Sequence, residues 1–149
     1  MNFNLKRLTT DDVELAKQLF RFFQEDDGIA RPAVSPDNYL HELLSKDDFH
    51  VIVALSDGTL IGGLTGYELP MYKRQIREMF LYEIAIKPEY RQKGIGSALI
   101  YQLKEICRKK GIEEMYVGTS TPNKAAMALY TATGGVQEPD IAWFVYQCG

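Results

Sequence analysis

An α+β fold, an α/β sandwich built on a mixed sheet, is the class this sequence predicts. Three observations carry the prediction. The elements run β α α β β β α β α β in order, with a further short strand expected before the last. Ser56-Asp57-Gly58 between two strand-like runs is a tight hairpin signal, which makes those strands antiparallel. A strand, a glycine turn, a helix and another strand then follow in the middle of the chain, and that sequence demands a right-handed parallel crossover.

Residues 3–8 read as the first strand. Asp11 with Glu14 three positions on resembles a capping box, and it opens a helix carrying Val13, Leu15, Leu19, Phe20 and Phe23. A polar loop over 25–35 begins with Glu25-Asp26-Asp27. Ser35 before Pro36 places a cap residue ahead of a proline at the first helical position, and Tyr39, Leu40, Leu43 and Leu44 follow at helical spacing. Residues 49–55 and 59–69 are the hairpin strands, 70–76 a loop and 77–86 a long strand. Residues 95–110 form a helix with Ile95, Leu99, Ile100, Leu103, Ile106 and Cys107 on its apolar side, ended by Lys110-Gly111. A short strand over 114–119, a helix over 123–133 and a last strand over 141–147, paired with 135–138, complete the chain.

With 149 residues the chain suits one domain spanning 1–149. Its 46% hydrophobic and 25% charged content is that of a water-soluble globular protein. A net charge of −3 argues against a nucleic-acid partner, which needs a basic face. No apolar run has the length of a membrane span, and the first residues lack the apolar core of a secretion signal. Two cysteines, Cys107 and Cys148, make neither a disulfide framework nor a metal motif, so a reducing cytoplasm is expected and no metal site is.

The most informative segment is Arg91-Gln92-Lys93-Gly94-Ile95-Gly96-Ser97. A strand that feeds a glycine turn and then a helix N-terminus offers unpartnered N–H groups and a favourable dipole to an anion. Gly94 and Gly96 hold no side chain in the way, and Arg91 and Lys93 add positive charge. A pyrophosphate is the expected ligand. The spacing R-x-x-G-x-G is neither that of a P-loop nor that of a dinucleotide fold. The alternative is a helix that merely begins with glycines and basic residues.

Together with Asn123-Lys124-Ala125-Ala126-Met127-Ala128-Leu129-Tyr130 and the glycine at 134, this turn and the element order resemble the GNAT acyl-CoA N-acetyltransferases over nearly the whole chain. Within that family the chain is most similar to the type I aminoglycoside 3-N-acetyltransferases, through Tyr67-Glu68-Leu69-Pro70, Leu81-Tyr82-Glu83-Ile84-Ala85-Ile86 and residues 91–100. It departs from them at Glu83, where aspartate is usual, at Phe144 or a neighbour in place of an acidic residue, and at Gly135 in place of a large apolar one. The resemblance implies a mostly antiparallel mixed sheet with one parallel strand pair splayed around CoA, and helices on both faces. It further implies acetyl-CoA as donor, a small-molecule amine as acceptor and a homodimer.

The implied chemistry is direct attack of a neutral amine on a thioester. The turn Arg91, Gln92, Lys93, Gly94, Ile95, Gly96 and Ser97 would hold the pyrophosphate, and backbone at Ile84, Ala85 and Ile86 would hold the pantetheine arm as an added strand. Asn123 caps its helix or serves CoA, Ala126 leaves room for it, and Tyr130 would protonate the departing thiolate unless it is core. Glu83, on an apolar strand where a carboxylate is costly, is the candidate general base or else the partner of Arg77 or Arg91 in a salt bridge. Glu25, Asp26, Asp27, Glu68 and Glu78 are expected to line an acidic entrance for a cationic amine. An aminoglycoside 3-amino group stands first among substrates. A polyamine, protein lysine or N-terminus, or a non-catalytic CoA-binding domain, are the alternatives.

Overall fold

The computed structural model describes residues 1–149. They divide into two compact units, Met1–Gly118 and Thr119–Gly149.

The first unit holds five strands: β1 (Asn4–Arg7), β2 (Phe49–Ser56), β3 (Thr59–Pro70), β4 (Arg77–Ile86) and β5 (Met115–Tyr116). They lie side by side in chain order, the first four antiparallel and β4 with β5 parallel. Asp57 (φ +48°) and Gly58 (φ +77°) turn β2 into β3 with both central residues left-handed, as the twist of a hairpin requires. Helices α1 (Val13–Asp26) and α2 (Asp37–Ser45) pack on one face, where Leu8, Ala16, Leu19, Phe23, Leu44, Phe49, Val51 and Val53 form a core. α3 (Ile95–Lys110) covers the other face and buries Ile95, Leu99, Ile100, Leu103 and Cys107.

Small residues on β3 let the helices sit close. A Cβ on Gly63 would stand 2.7 Å from Leu19 of α1, and one on Gly66 would stand 3.2 Å from Leu103 of α3. These two contacts fix the pleat: 63, 65 and 67 face α1, while 64, 66 and 68 face α3. The face under α3 carries an unusual polar group. Glu68 is 0% exposed, accepts from Lys110 Nζ (2.6 Å) and Arg77 (3.3 Å), and is bonded to His50 Nε2. Arg7 Nε donates to His50 Nδ1 (3.1 Å), which leaves the imidazole proton on Nε2. Burial would push Glu68 up, but the Lys110 and His50 bonds outweigh it and hold its carboxyl below the ordinary range. Burial likewise pulls His50 down, against the opposing pull of Glu68.

The second unit contains α4 (Lys124–Ala132). Four expectations are corrected. The first helix is capped by Thr9, whose hydroxyl accepts from Asp11 N while Asp12 accepts from Thr9 N. Glu14 instead pairs with Lys17 (3.6 Å). Pro36 is extended (ψ 154°), so α2 begins at Asp37 and the proline carbonyl, rather than Ser35, takes its first bonds. β5 keeps only two of the residues expected of it. Residues 135–138 and 141–147 form no strand, because no ladder partner stands beside them; Val136, Trp143 and Phe144 are 90%, 77% and 79% exposed.

Candidate active site

A one-residue bulge in β4 organises the site. Thr65 pairs with Glu83 and Gly66 with Leu81, so Tyr82 has no partner. Ahead of the bulge Met79 and Leu81 are buried, with the Met79 sulfur beside the α3 face of Gly66. Beyond it the parity is reversed: Tyr82 and Glu83 line a cavity of about 300 Å³ under α1 and α2, and Ala85 packs on the α1 core.

The same reversal re-aims the backbone. Lys87 N donates to Ile61 O (2.9 Å), so by alternation Ala85 and Glu83 bond to β3, while Ile84 and Ile86 present their N–H and C=O to the opposite edge. β5 occupies that edge only beside Met79 and Phe80. Arg91 Nε caps the Ile86 carbonyl (2.9 Å). The amide of Ile84 therefore faces a stretch of edge with no strand beside it, which is what an added peptide-like strand needs.

The turn after β4 has the expected form. Gln92 is left-handed (φ +60°), Gly94 is left-handed (φ +81°) and stands at the N-cap of α3, and no side chain caps the helix. Ala98 N makes the first intrahelical bond, to Gly94 O (3.0 Å), so the N–H groups of Ile95, Gly96 and Ser97 have no helical acceptor. A non-glycine residue in the left-handed region costs about 1 kcal/mol or more, a strain that gathers at ligand clamps. Lys93 lies over the Tyr90 ring at 5.8 Å. Arg91 also donates to Asp26 (3.1 Å), which joins the turn to the end of α1.

Glu83 is half-buried and holds no counter-ion: Arg77 goes to Glu68 and Arg91 to Asp26. Burial, and then the charge of Asp27, raises its carboxyl above the ordinary range. The walls around it are largely aromatic. Tyr67 and Tyr82 meet edge to face at 5.6 Å, and Phe49 and Tyr67 lie 4.8 Å apart. Of the acidic residues expected at the entrance, Asp27 lines this cavity. The others are placed differently. Asp26 is held by Arg91, Glu25 is exposed outside the lining, Glu78 stands against the Tyr116 hydroxyl, and Glu68 is buried on the α3 face by the strand's alternation. The sequence reading missed Thr65, Tyr67 and Tyr82, and alternation from Gly63 along β3 would have found the first two.

In the second unit Asn123 Oδ1 accepts from Ala126 N (3.1 Å), a helix cap. Ala126 and Tyr130 are half-buried on one side of α4, and burial raises the Tyr130 phenol.

The sequence profile described as the acetyltransferase (GNAT) family matches residues 15–134. The chain belongs to this family. Its members take the acetyl group from acetyl-CoA. A protein of Bacillus subtilis named as a ribosomal-protein-alanine N-acetyltransferase is 34% identical over 66% of this chain, and the match spans 61% of that protein's length. The spermidine N(1)-acetyltransferase of Thermoplasma acidophilum is 26% identical across 99% of this chain and 97% of its own. Among solved structures, an aminoglycoside acetyltransferase from an uncultured soil metagenomic sample, in complex with sisomicin, superposes with a TM-score of 0.92 at 26% identity, covering 99% of this chain and 97% of that one. The expected GNAT fold, with its single parallel strand pair, is the fold observed. No helix is long and apolar enough to cross a membrane.

Proposed function

We propose that this GNAT acetyltransferase acts on a primary amine of a small cationic substrate, an aminoglycoside first among them. One observation carries the reading: a carboxylate without a counter-ion, Glu83, fronts an aromatic cavity on the same bulged strand whose next residue, Ile84, offers a free backbone amide. The likeness to the sisomicin-bound acetyltransferase supports the aminoglycoside. The sequence resemblance supports the 3-amino group. The nearly full-length match to the spermidine acetyltransferase supports a polyamine as second reading.

The N–H groups of Ile95, Gly96 and Ser97, with Gln92, Gly94 and the cations Arg91 and Lys93, suit a pyrophosphate. The edge at Ile84, Ala85 and Ile86 suits the pantetheine amides, and the Ile84 N–H suits an oxygen that gains charge as the thioester is attacked. An ammonium binds between aromatic faces and the carboxylates of Asp27 and Glu83. Glu83 accepts its proton, directly or through one water, because a raised carboxyl is a stronger base than an ordinary one. The amine nitrogen then bonds to the acetyl carbon, the C–S bond breaks, and sulfur departs with the electron pair. The attacking nitrogen loses its remaining extra proton to water as the amide forms. On the sequence resemblance Tyr130, whose phenol burial keeps protonated at neutral pH, gives a proton to the sulfur and regains one from water. Asn123 shapes the start of the Tyr130 helix, and Ala126 keeps its face narrow.

The test is thiol release from acetyl-CoA across aminoglycosides with free and blocked 3-amino groups, spermidine and a lysine peptide. Turnover of aminoglycosides that blocking the 3-amino group abolishes supports the full reading; turnover of spermidine alone supports the second. With no turnover of any amine and CoA still bound, the non-catalytic alternative holds. The apolar, exposed 141–147 segment, with Trp143 77% and Tyr146 85% exposed, supports a homodimer in which a second copy covers it. A monomeric mass by light scattering would refute that.

A further inference from the structure

The chain between α1 and α2, residues 27–36, has no regular secondary structure, yet it supplies Ala33, Val34 and Ser35 to one wall of the acceptor cavity. Tyr67, Tyr82 and Glu83 supply the facing wall from the sheet. Something has to hold the loop at a fixed distance from the strands. Near its start, Gly28 N and Ile29 N bond back to Glu25 O and Gln24 O and simply finish the helix. Beyond them one side chain makes the tether. Gln24 Nε2 donates to Ala33 O (2.7 Å) and Gln24 Oε1 accepts from Ala33 N (2.9 Å), while the same Nε2 also reaches Phe20 O at the turn below (3.1 Å).

This is a strand-like pairing made by one carboxamide. Both backbone groups of Ala33 are satisfied by a donor and an acceptor held side by side on one carbon. Asparagine carries the same pair but is one methylene shorter. Glutamate at neutral pH has no donor and would oppose the carbonyls of Ala33 and Phe20. Leucine is as short as asparagine and has nothing to bond with. Gln24 itself lines the cavity, so the latch and the wall it holds are one surface.

We infer that Gln24 is a specificity-determining positioning residue: by latching Ala33 it sets the width of the acceptor cavity between the loop and Tyr67, Tyr82 and Glu83. The inference rests on the reading of this cavity as the amine site. Gln24 touches no reacting atom, so its loss acts on acceptor binding and leaves donor binding alone. Two net hydrogen bonds of about 1 kcal/mol each correspond to a roughly 30-fold change in the population of the latched loop, which sets the upper scale.

The experiment compares native chain, Gln24→Leu and Gln24→Glu with acetyl-CoA and the best amine from the panel. Gln24→Leu is expected to raise the KM for the amine by about tenfold or more, with the KM for acetyl-CoA unchanged and kcat less affected. Gln24→Glu behaves like leucine at neutral pH. Its amine KM closes on the native value as the pH drops and the acid regains a donor, a rescue that general loosening of the fold would not give. Hydrogen exchange at the Ala33 amide, slow in the native chain, should quicken in the leucine variant. Native turnover with unchanged amine KM in both variants overturns the latch and leaves the proposed function standing. Equal rises in both KM values, or a glutamate variant with no recovery, also overturn it. Absence of native turnover overturns the proposed function, and the latch with it.

Discussion

Replacing Glu83 with glutamine keeps the length and shape of the side chain and removes its charge and basicity. The structure gives this change two opposite consequences. Glu83 is the half-buried carboxylate of the aromatic cavity and has no counter-ion, so as base it is worth about 10²–10⁴ in kcat/KM. At 1.36 kcal/mol per tenfold, that range is about 3–5 kcal/mol of barrier. The native pH profile should show an acid limb lying above the ordinary carboxyl range, because burial and Asp27 raise the group, and the variant should lose that limb. Stability should move the other way. A raised carboxyl means that the folded chain binds its proton more tightly than the unfolded chain. Stability is therefore highest at low pH on this account and falls as pH rises through the folded value, so the ionised group is a cost at neutral pH. Glutamine removes that cost, and the melting temperature should hold or rise. Thiol release from pH 5 to 9 and a thermal melt at pH 7.5 read both effects. A variant that keeps native kcat/KM and its acid limb refutes the assignment of the base. A variant that loses activity together with several degrees of melting temperature shows that Glu83 supports the fold instead.

Tyr130→Phe removes the proposed acid without changing ring packing; kcat should fall by about 10² or more while the KM for acetyl-CoA holds, and an unchanged kcat would refute the role. Glu68→Ala strips His50, Lys110 and Arg77 of their shared acceptor. Breaking a buried pair costs about 3–5 kcal/mol, and because Lys110 and Arg77 are 33% and 40% exposed and can turn to water, a loss of about 2–3 kcal/mol in urea unfolding is expected. Acid should attack the same group. His50 and Glu68 are both held below their ordinary values, so the unfolded chain takes up protons first and stability declines from about pH 6.5 downward. In the Glu68→Ala variant the part of the decline below about pH 4.5 that Glu68 carries should vanish, while the His50 part, freed of the upward pull of Glu68, should persist or deepen; an unchanged profile would exonerate the cluster.

How far the sequence could be read follows from the kind of signal each element carries. The hairpin at Asp57 and Gly58 and the helix end at Gly111 rest on left-handed backbone that few residues adopt, and both stand as expected. The glycine turn at Gln92 to Ser97 was legible for the same reason. Glu68 was misplaced because composition names a charge but not a face. It sits one step along β3 from Tyr67, and that one step separates the α1 cavity from the α3 interior. Tyr82 escaped because a bulge leaves no compositional mark. The final strand was expected from its apolar residues, but a strand exists only where another edge pairs with it, and none in this chain does. Gln24 offered no signal at all: its partner is the backbone of Ala33, nine positions away.

The unpaired residue at Tyr82 ties the placement of Glu83 to a count of residues. Losing Tyr82 itself would restore an unbroken ladder with Glu83 still opposite Thr65, whereas losing one residue after Glu83 would turn Ala85 and Ile86 over relative to β3. A two-residue deletion would keep the odd–even sense and shorten the strand. The segment from Glu83 to Ile86 therefore depends on its length as well as on the identity of Glu83.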